Sequence, residues 1–108
     1  MTVIGEKLWI EMPGEVARPH RVLAIGKPRL AEVAGRRQRA IEVREIGAPG
    51  SILIPLAELT EAAPLSPADL AEYERLDGEL AGTIGDRKKL LPFMALFWRR
   101  QLFGELPA

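Results

Sequence analysis

Apolar and polar positions alternate over Leu8–Met12, setting Leu8, Ile10 and Met12 on one face of a strand and Trp9 and Glu11 on the other. Pro13 and Gly14 end that run. Past a polar loop holding Arg18 and Pro19, Val22–Ile25 predicts a second strand, closed by Gly26, Lys27 and Pro28. Leu30–Val33 and Ala40–Ile46 are two further strand-like runs. Between them Ala34, Gly35, Arg36, Arg37, Gln38 and Arg39 predict a hairpin with a basic tip. In its second arm Ile41 and Val43 share a face while Glu42 and Arg44 point the other way. A turn at Gly47–Gly50 leads to a fifth run, Ser51–Ile54, stopped by Pro55. Five short strands at close, turn-punctuated spacing predict a small curled antiparallel sheet or SH3-like barrel within residues 1–60.

The period then changes. Thr60–Ser66 is a connector, after which Ser66 suits an N-cap, Pro67 the first helical position and Asp69 the acid of a capping box. Leu70, Tyr73, Leu76 or Asp77, Leu80 and Ile84 recur at helical spacing, with Glu72, Glu74 and Glu79 mostly on the other side. Gly78, Gly82 and Gly85 weaken the far end, each costing up to about 1 kcal/mol relative to alanine, so a break is expected between Gly82 and Asp86. A second helix is predicted over Arg87–Phe103, with Pro92 kinking it or marking the first turn of its main part. The chain therefore has the pattern of one α+β domain, 1–108, with two C-terminal helices spanning 66–104.

That last helix is unusual. Between Leu90 and Phe103, ten of fourteen residues are apolar, and Phe93, Phe97, Trp98 and Phe103 are four of the six aromatics in the chain. No polar stripe interrupts the run until Arg99 and Arg100. A helix apolar nearly all round must be covered on several sides. Two readings stay open: a core helix that closes the open face of the sheet, or a partner-binding or dimerising helix with Phe93, Phe97 and Trp98 as anchors beside Arg99 and Arg100. A helix lying on a membrane surface is disfavoured, because Arg99 and Arg100 make too short a polar face.

Composition narrows the chemistry. Cysteine is absent, which removes disulfides, thiolate metal sites and a cysteine nucleophile. With a start, MTVIGEKLW, that lacks the basic and apolar segments of a secretory signal, this predicts a cytoplasmic location. The longest apolar stretch, Leu90–Trp98, is nine residues, against about twenty needed to span a bilayer. Net charge is zero, yet the charges fall into blocks. Arg18–Arg44 holds eight basic residues against Glu32 and Glu42, Glu45–Asp86 holds nine acids against Arg75, and Arg87–Phe103 holds five basic residues and no acid. The blocks either face one another within the fold or present separate potentials to partners.

No catalytic constellation emerges. His20, the one histidine, has no serine or cysteine nucleophile in register and is read as a loop residue. A histidine-based metal site needs more ligands than this, and Asp69, Glu72, Glu74, Asp77 and Glu79 have the spacing of a wet helix face. Gly82–Lys89 lacks both the preceding strand and the Gly-Lys-Ser/Thr end of a phosphate loop. No enzyme activity, cofactor or metal is expected. The hairpin arginines Arg36, Arg37 and Arg39 are candidate nucleic-acid contacts, with Arg18, Arg21, Lys27, Arg29 and Arg44 widening the patch.

Gly5, Glu6, Lys7, Leu8 and Trp9, then Val22–Ile25, Gly35, Ile41–Val43 and Ile52–Leu59 with its Ile54-Pro55 step, resemble a small SH3-like or Tudor-like barrel. Among these they are most similar to the RNA-polymerase-interacting domain of CarD-type regulators and transcription-repair coupling factors. The likeness covers about half the chain. It departs in the first loop, where Pro13 and Gly14 replace the family's His-Gly pair and a longer segment follows. It implies a barrel that docks on polymerase and a helical part that touches DNA, a role in which Trp98, Arg99 and Arg100 take part only if the helices correspond. The expectation is a non-enzymatic regulator or adaptor that binds a larger partner in the transcription machinery. The alternative is a small subunit or assembly factor, in a stable complex or homodimer, that uses its aromatic helix.

Overall fold

The computed structural model describes residues 5–13, 16–80 and 87–107. Within them the order is β1 (Glu6–Glu11), β2 (Arg18–Ala24), β3 (Arg29–Val33), β4 (Arg36–Glu45), β5 (Ile52–Pro55), a 3-10 turn at Leu56–Glu58, β6 (Leu59–Glu61), α1 (Pro67–Leu80) and α2 (Arg87–Phe103). Every strand pairing is antiparallel. The sheet runs β3-β4-β2-β1-β6, with β5 also on β4, and curls into a half-barrel. The α+β architecture, a curled sheet followed by two helices, is that expected from the sequence. The expected break at Gly82–Asp86 lies outside the described residues, as do Gly14 and Ile84.

Alternation along β1 divides the core. Trp9 points into the curl and joins Val22, Ile41, Val43 and Ile54, with Leu56 and Leu59 against them. Leu8, Ile10 and Met12 point outward and are buried by α2 through Leu90, Leu91, Met94, Ala95, Trp98 and Phe103. The middle of this one strand, Leu8–Ile10, is therefore buried on both faces. A third cluster joins the helices, with Leu65, Leu76 and Leu96 buried beside Leu70, Tyr73 and Phe93. Thus α2 is covered on two sides, by the sheet and by α1, and that explains an apolar content too high for a helix with one wet face.

Two expectations change. Thr60 and Glu61, read as the start of a connector, belong with Leu59 to a strand paired with β1 in the register Lys7↔Glu61, Leu8↔Thr60, Trp9↔Leu59. Its pattern escapes notice because it is three residues long, while Leu59 supplies the inward side chain that packs near Trp9. The β3–β4 connection, read as six residues, is two. Val33 pairs with Arg36, and Ala34 and Gly35 turn the chain with φ of 53° and 76°. Two positive φ values in succession match the right-handed twist of the flanking strands.

The start of α1 follows its sequence signature. Ser66 N–H donates to Asp69 Oδ2 at 3.0 Å, and Asp69 N–H donates to Ser66 Oγ at 3.1 Å, the reciprocal bonds of a capping box.

Candidate interaction surface

Shortening the hairpin turn moves the three arginines. Arg36, Arg37 and Arg39 lie on β4, not in a loop at its tip. Successive strand residues point to opposite faces, so Arg37 and Arg39 share one face and Arg36 takes the other. On the Arg37–Arg39 face the register sets Glu32 opposite Arg37 and Leu30 opposite Arg39. Leu30 is 59% exposed. Glu32 and Arg37 form no ion pair. The three guanidiniums are therefore split rather than gathered into one cluster.

Arg36 turns toward a half-open cleft of about 950 Å³ between the hairpin and the helices. Gln38 shares its wall, Leu59, Leu91 and Leu96 contribute apolar surface, and Glu72 stands on the helical side. Glu72 is already held by Arg75, which also bonds Glu79 at 2.7 Å, so the acidic face of α1 is partly neutralised from within.

The charges of the sheet are used unevenly. Arg21 donates from Nε and Nη2 to the buried Glu6 carboxylate at 2.7 and 3.1 Å, and its guanidinium lies 5.2 Å from the Phe103 ring. This pair fastens the end of α2 to the outer face of the sheet. Arg29 reaches Glu42 at 3.3 Å. By contrast Arg18, Lys27, Arg36, Arg37, Arg39 and Arg44 are all exposed, and none makes an ion pair among the described residues.

His20 lies in β2 and not in a loop. Its ring stacks on Trp9 at 4.5 Å, Nδ1 bonds Glu45 at 2.9 Å and Nε2 bonds Glu11 at 3.0 Å. Partial burial works to lower its pKa, but the hydrogen bonds and charges of Glu45 and Glu11 outweigh burial and hold it above the ordinary value of 6.5. Each carboxylate takes a different ring nitrogen, so the three groups do not converge on one point. Among the described residues no group of histidine and carboxylates is placed to hold a metal ion. Neither described serine faces this ring, since Ser51 Oγ donates to Glu42 and Ser66 Oγ accepts in the helix cap.

Compared with protein-family models, curated proteins and solved structures, the chain finds no match. Its surface has to be read from its own geometry. No helix among the described residues is long and apolar enough to cross a membrane.

The helical residues named as partner contacts are mostly engaged inside the fold. Phe93 stacks on Tyr73 at 5.0 Å. Phe97 meets Trp98 edge-on at 5.2 Å, and Trp98 packs on the outer sheet face with its Nε1 buried and without a hydrogen-bond partner among the described residues. Arg99 is 6% exposed and donates to the carbonyls of Ala63 and Pro64 and to Asp69 Oδ2, at 3.1, 3.2 and 3.2 Å. It is a structural clamp that ties α2 to the segment between β6 and α1 and to the first turn of α1. Arg100 is exposed, but it bonds Glu105 at 2.8 Å and lies over Tyr73.

Sequence reasoning passed over Glu11, Glu45, Leu30 and Glu32. The partners of His20 depend on how three strands align, and no local pattern encodes that. The places of Leu30 and Glu32 follow from the hairpin register, which a two-residue Ala-Gly turn would have signalled.

Proposed function

We propose that the chain is a non-enzymatic adaptor or regulator that binds a larger acidic macromolecule through its β-rich half. The observation that carries this reading is the set of six exposed cations on and between β2, β3 and β4 that make no ion pair among the described residues, in a molecule with no net charge. On the helices, Arg75 and Arg100 are engaged by carboxylates and Arg99 by carbonyls and a carboxylate. Free positive charge collected on one part of a neutral protein steers acidic partners and orients them. If the likeness of residues 1–60 to polymerase-interacting barrels extends to function, that partner belongs to the transcription machinery.

The test is affinity capture with the native chain and with an Arg37→Glu/Arg39→Glu variant of matched stability. Loss of specific partners in the variant is expected. Identical partner sets would count against the reading.

A second reading, a subunit or assembly factor that docks through α2, rests on a narrower observation. Leu102 and Leu106 are 44% and 50% exposed at the end of that helix and just past it. Sizing at two concentrations separates the two, because self-association that Leu102→Ser/Leu106→Ser abolishes favours the helix.

A further inference from the structure

We infer that the Arg37–Arg39 face of the β3–β4 hairpin holds the phosphodiester backbone of a nucleic acid and does not read its bases. This rests on the acidic-partner reading above and names the partner.

The hairpin gives the spacing. Arg37 and Arg39 are two residues apart on one strand face, so their Cα atoms are separated by about 6.8 Å, which lets each guanidinium take its own phosphate along one strand. Both are exposed and make no ion pair among the described residues, so neither must give up an internal bond to meet a ligand. A guanidinium fork matches a phosphate with two parallel hydrogen bonds.

The surroundings decide the class of partner. None of the six aromatic residues, Trp9, Tyr73, Phe93, Phe97, Trp98 and Phe103, is exposed. Protein interfaces centre on large anchors set in an extended apolar patch, whereas the apolar groups of this face are the exposed Leu30 and the small Leu56–Ala57 hollow beside Arg39. Base-reading single-strand sites need aromatic platforms for stacking. With neither present, charge is what the face can recognise, and a phosphodiester chain presents the densest regular array of negative charge. Glu32, across from Arg37, opposes that contact and tempers its strength.

The strand alternation makes the inference sharp. Arg36 belongs to the same basic run in sequence but faces the cleft on the other side of the sheet, so it should matter little where Arg37 and Arg39 matter much.

The experiment is fluorescence anisotropy with three labelled probes: a mixed-sequence DNA duplex, one of its strands alone, and polyglutamate, each at about 50 and about 200 mM salt. The native chain is expected to bind the DNA probes with little sequence preference. Log affinity for duplex against log salt should have a slope of about −2, roughly −0.9 for each of two phosphates. Arg37→Ala and Arg39→Ala should each flatten that slope by about one and weaken binding severalfold. Arg36→Ala should leave affinity within about twofold, and Glu32→Gln should tighten it, since one removes a charge from the far face and the other a repulsion from the near one. Thermal melts of each variant confirm that folding is retained.

Binding that survives Arg37→Ala/Arg39→Ala, or that depends on Arg36 as strongly, overturns the inference. Binding to polyglutamate but to neither DNA probe overturns the phosphate assignment while keeping the acidic-partner reading. Binding to none of the three overturns the phosphate assignment as well, and the capture comparison then decides the broader reading.

Discussion

Asp69 Oδ2 accepts hydrogen bonds from the Ser66 backbone N–H at 3.0 Å and from Arg99 Nη2 at 3.2 Å, so one oxygen both caps α1 and ties α2 to it. The backbone bond from Ser66 is the largest influence holding the Asp69 carboxyl below its ordinary range, with the Ser66 hydroxyl bond and Arg99 adding to it against partial burial. A carboxylate with a depressed pKa stabilises the fold above its unfolded value, and that contribution fades as pH falls through the folded value.

Removing the Arg99 side chain strands the carbonyls of Ala63 and Pro64 and leaves Asp69 with the cap alone. Arg99→Ala is expected to cost about 3 kcal/mol, the scale of breaking a buried charged pair. Asp69→Asn should cost less, because an amide oxygen can still accept at the cap. A double-mutant cycle in urea measures their coupling, and strictly additive losses would contradict a shared oxygen.

The His20 clamp makes stability depend on pH near neutrality. Its folded pKa lies above the unfolded value, so protonation binds more tightly in the native state. The stabilisation is complete below about pH 6.5 and disappears as pH rises through the folded value. The thermal midpoint should therefore fall between mildly acidic and mildly alkaline buffer. His20→Gln should flatten this dependence, and Glu11→Gln should weaken it. An unchanged profile in His20→Gln would assign the dependence to another group.

Ala34 holds a φ of 53°, a conformation that costs an L-residue with a Cβ about 1–2 kcal/mol. Asparagine tolerates that region and precedes glycine in the favoured two-residue hairpin turns. Ala34→Asn should raise stability by about 1 kcal/mol without altering the register, which equilibrium unfolding and amide exchange across Val33 and Arg36 can follow. A loss of stability would show that the turn has a different conformation.

The two tryptophans should respond differently to phenylalanine. Trp9 Nε1 donates to Glu58 Oε1 at 3.0 Å, whereas the buried Trp98 Nε1 has no partner among the described residues. Trp9→Phe loses ring volume and a hydrogen bond to a carboxylate, and Trp98→Phe loses volume while relieving an unsatisfied donor. The first should cost at least about 1 kcal/mol more than the second. Equal losses would mean that the Glu58 bond contributes nothing net.

How far the sequence disclosed these features depends on how local each one is. The capping box at Ser66 and Asp69 is legible because both partners lie within one helical turn. Alternation in Leu8–Met12 placed each side chain on its face, but it did not show that the Trp9 face is also enclosed, because that depends on strands that arrive later in the chain. The length of the hairpin turn is illegible in the sequence for a physical reason. Beyond the half-barrel neither of its faces is buried, so Arg36–Arg39 carry no apolar alternation to mark a strand. The apolar excess of α2 was visible at once, yet its cause is tertiary: α1 covers the side that the sheet leaves open. The His20 environment depends on residues nine and twenty-five positions away in sequence.

Because β1 is walled in by the curl on one side and by α2 on the other, neither half of the chain is expected to fold without the other. Cutting the polypeptide after position 64 would bare an oily sheet surface, and an isolated tail would lose its bed. Denaturation should accordingly pass through a single transition, with the fluorescence of a Trp9→Phe variant, which reports Trp98 in the tail, and the strands' circular dichroism moving together.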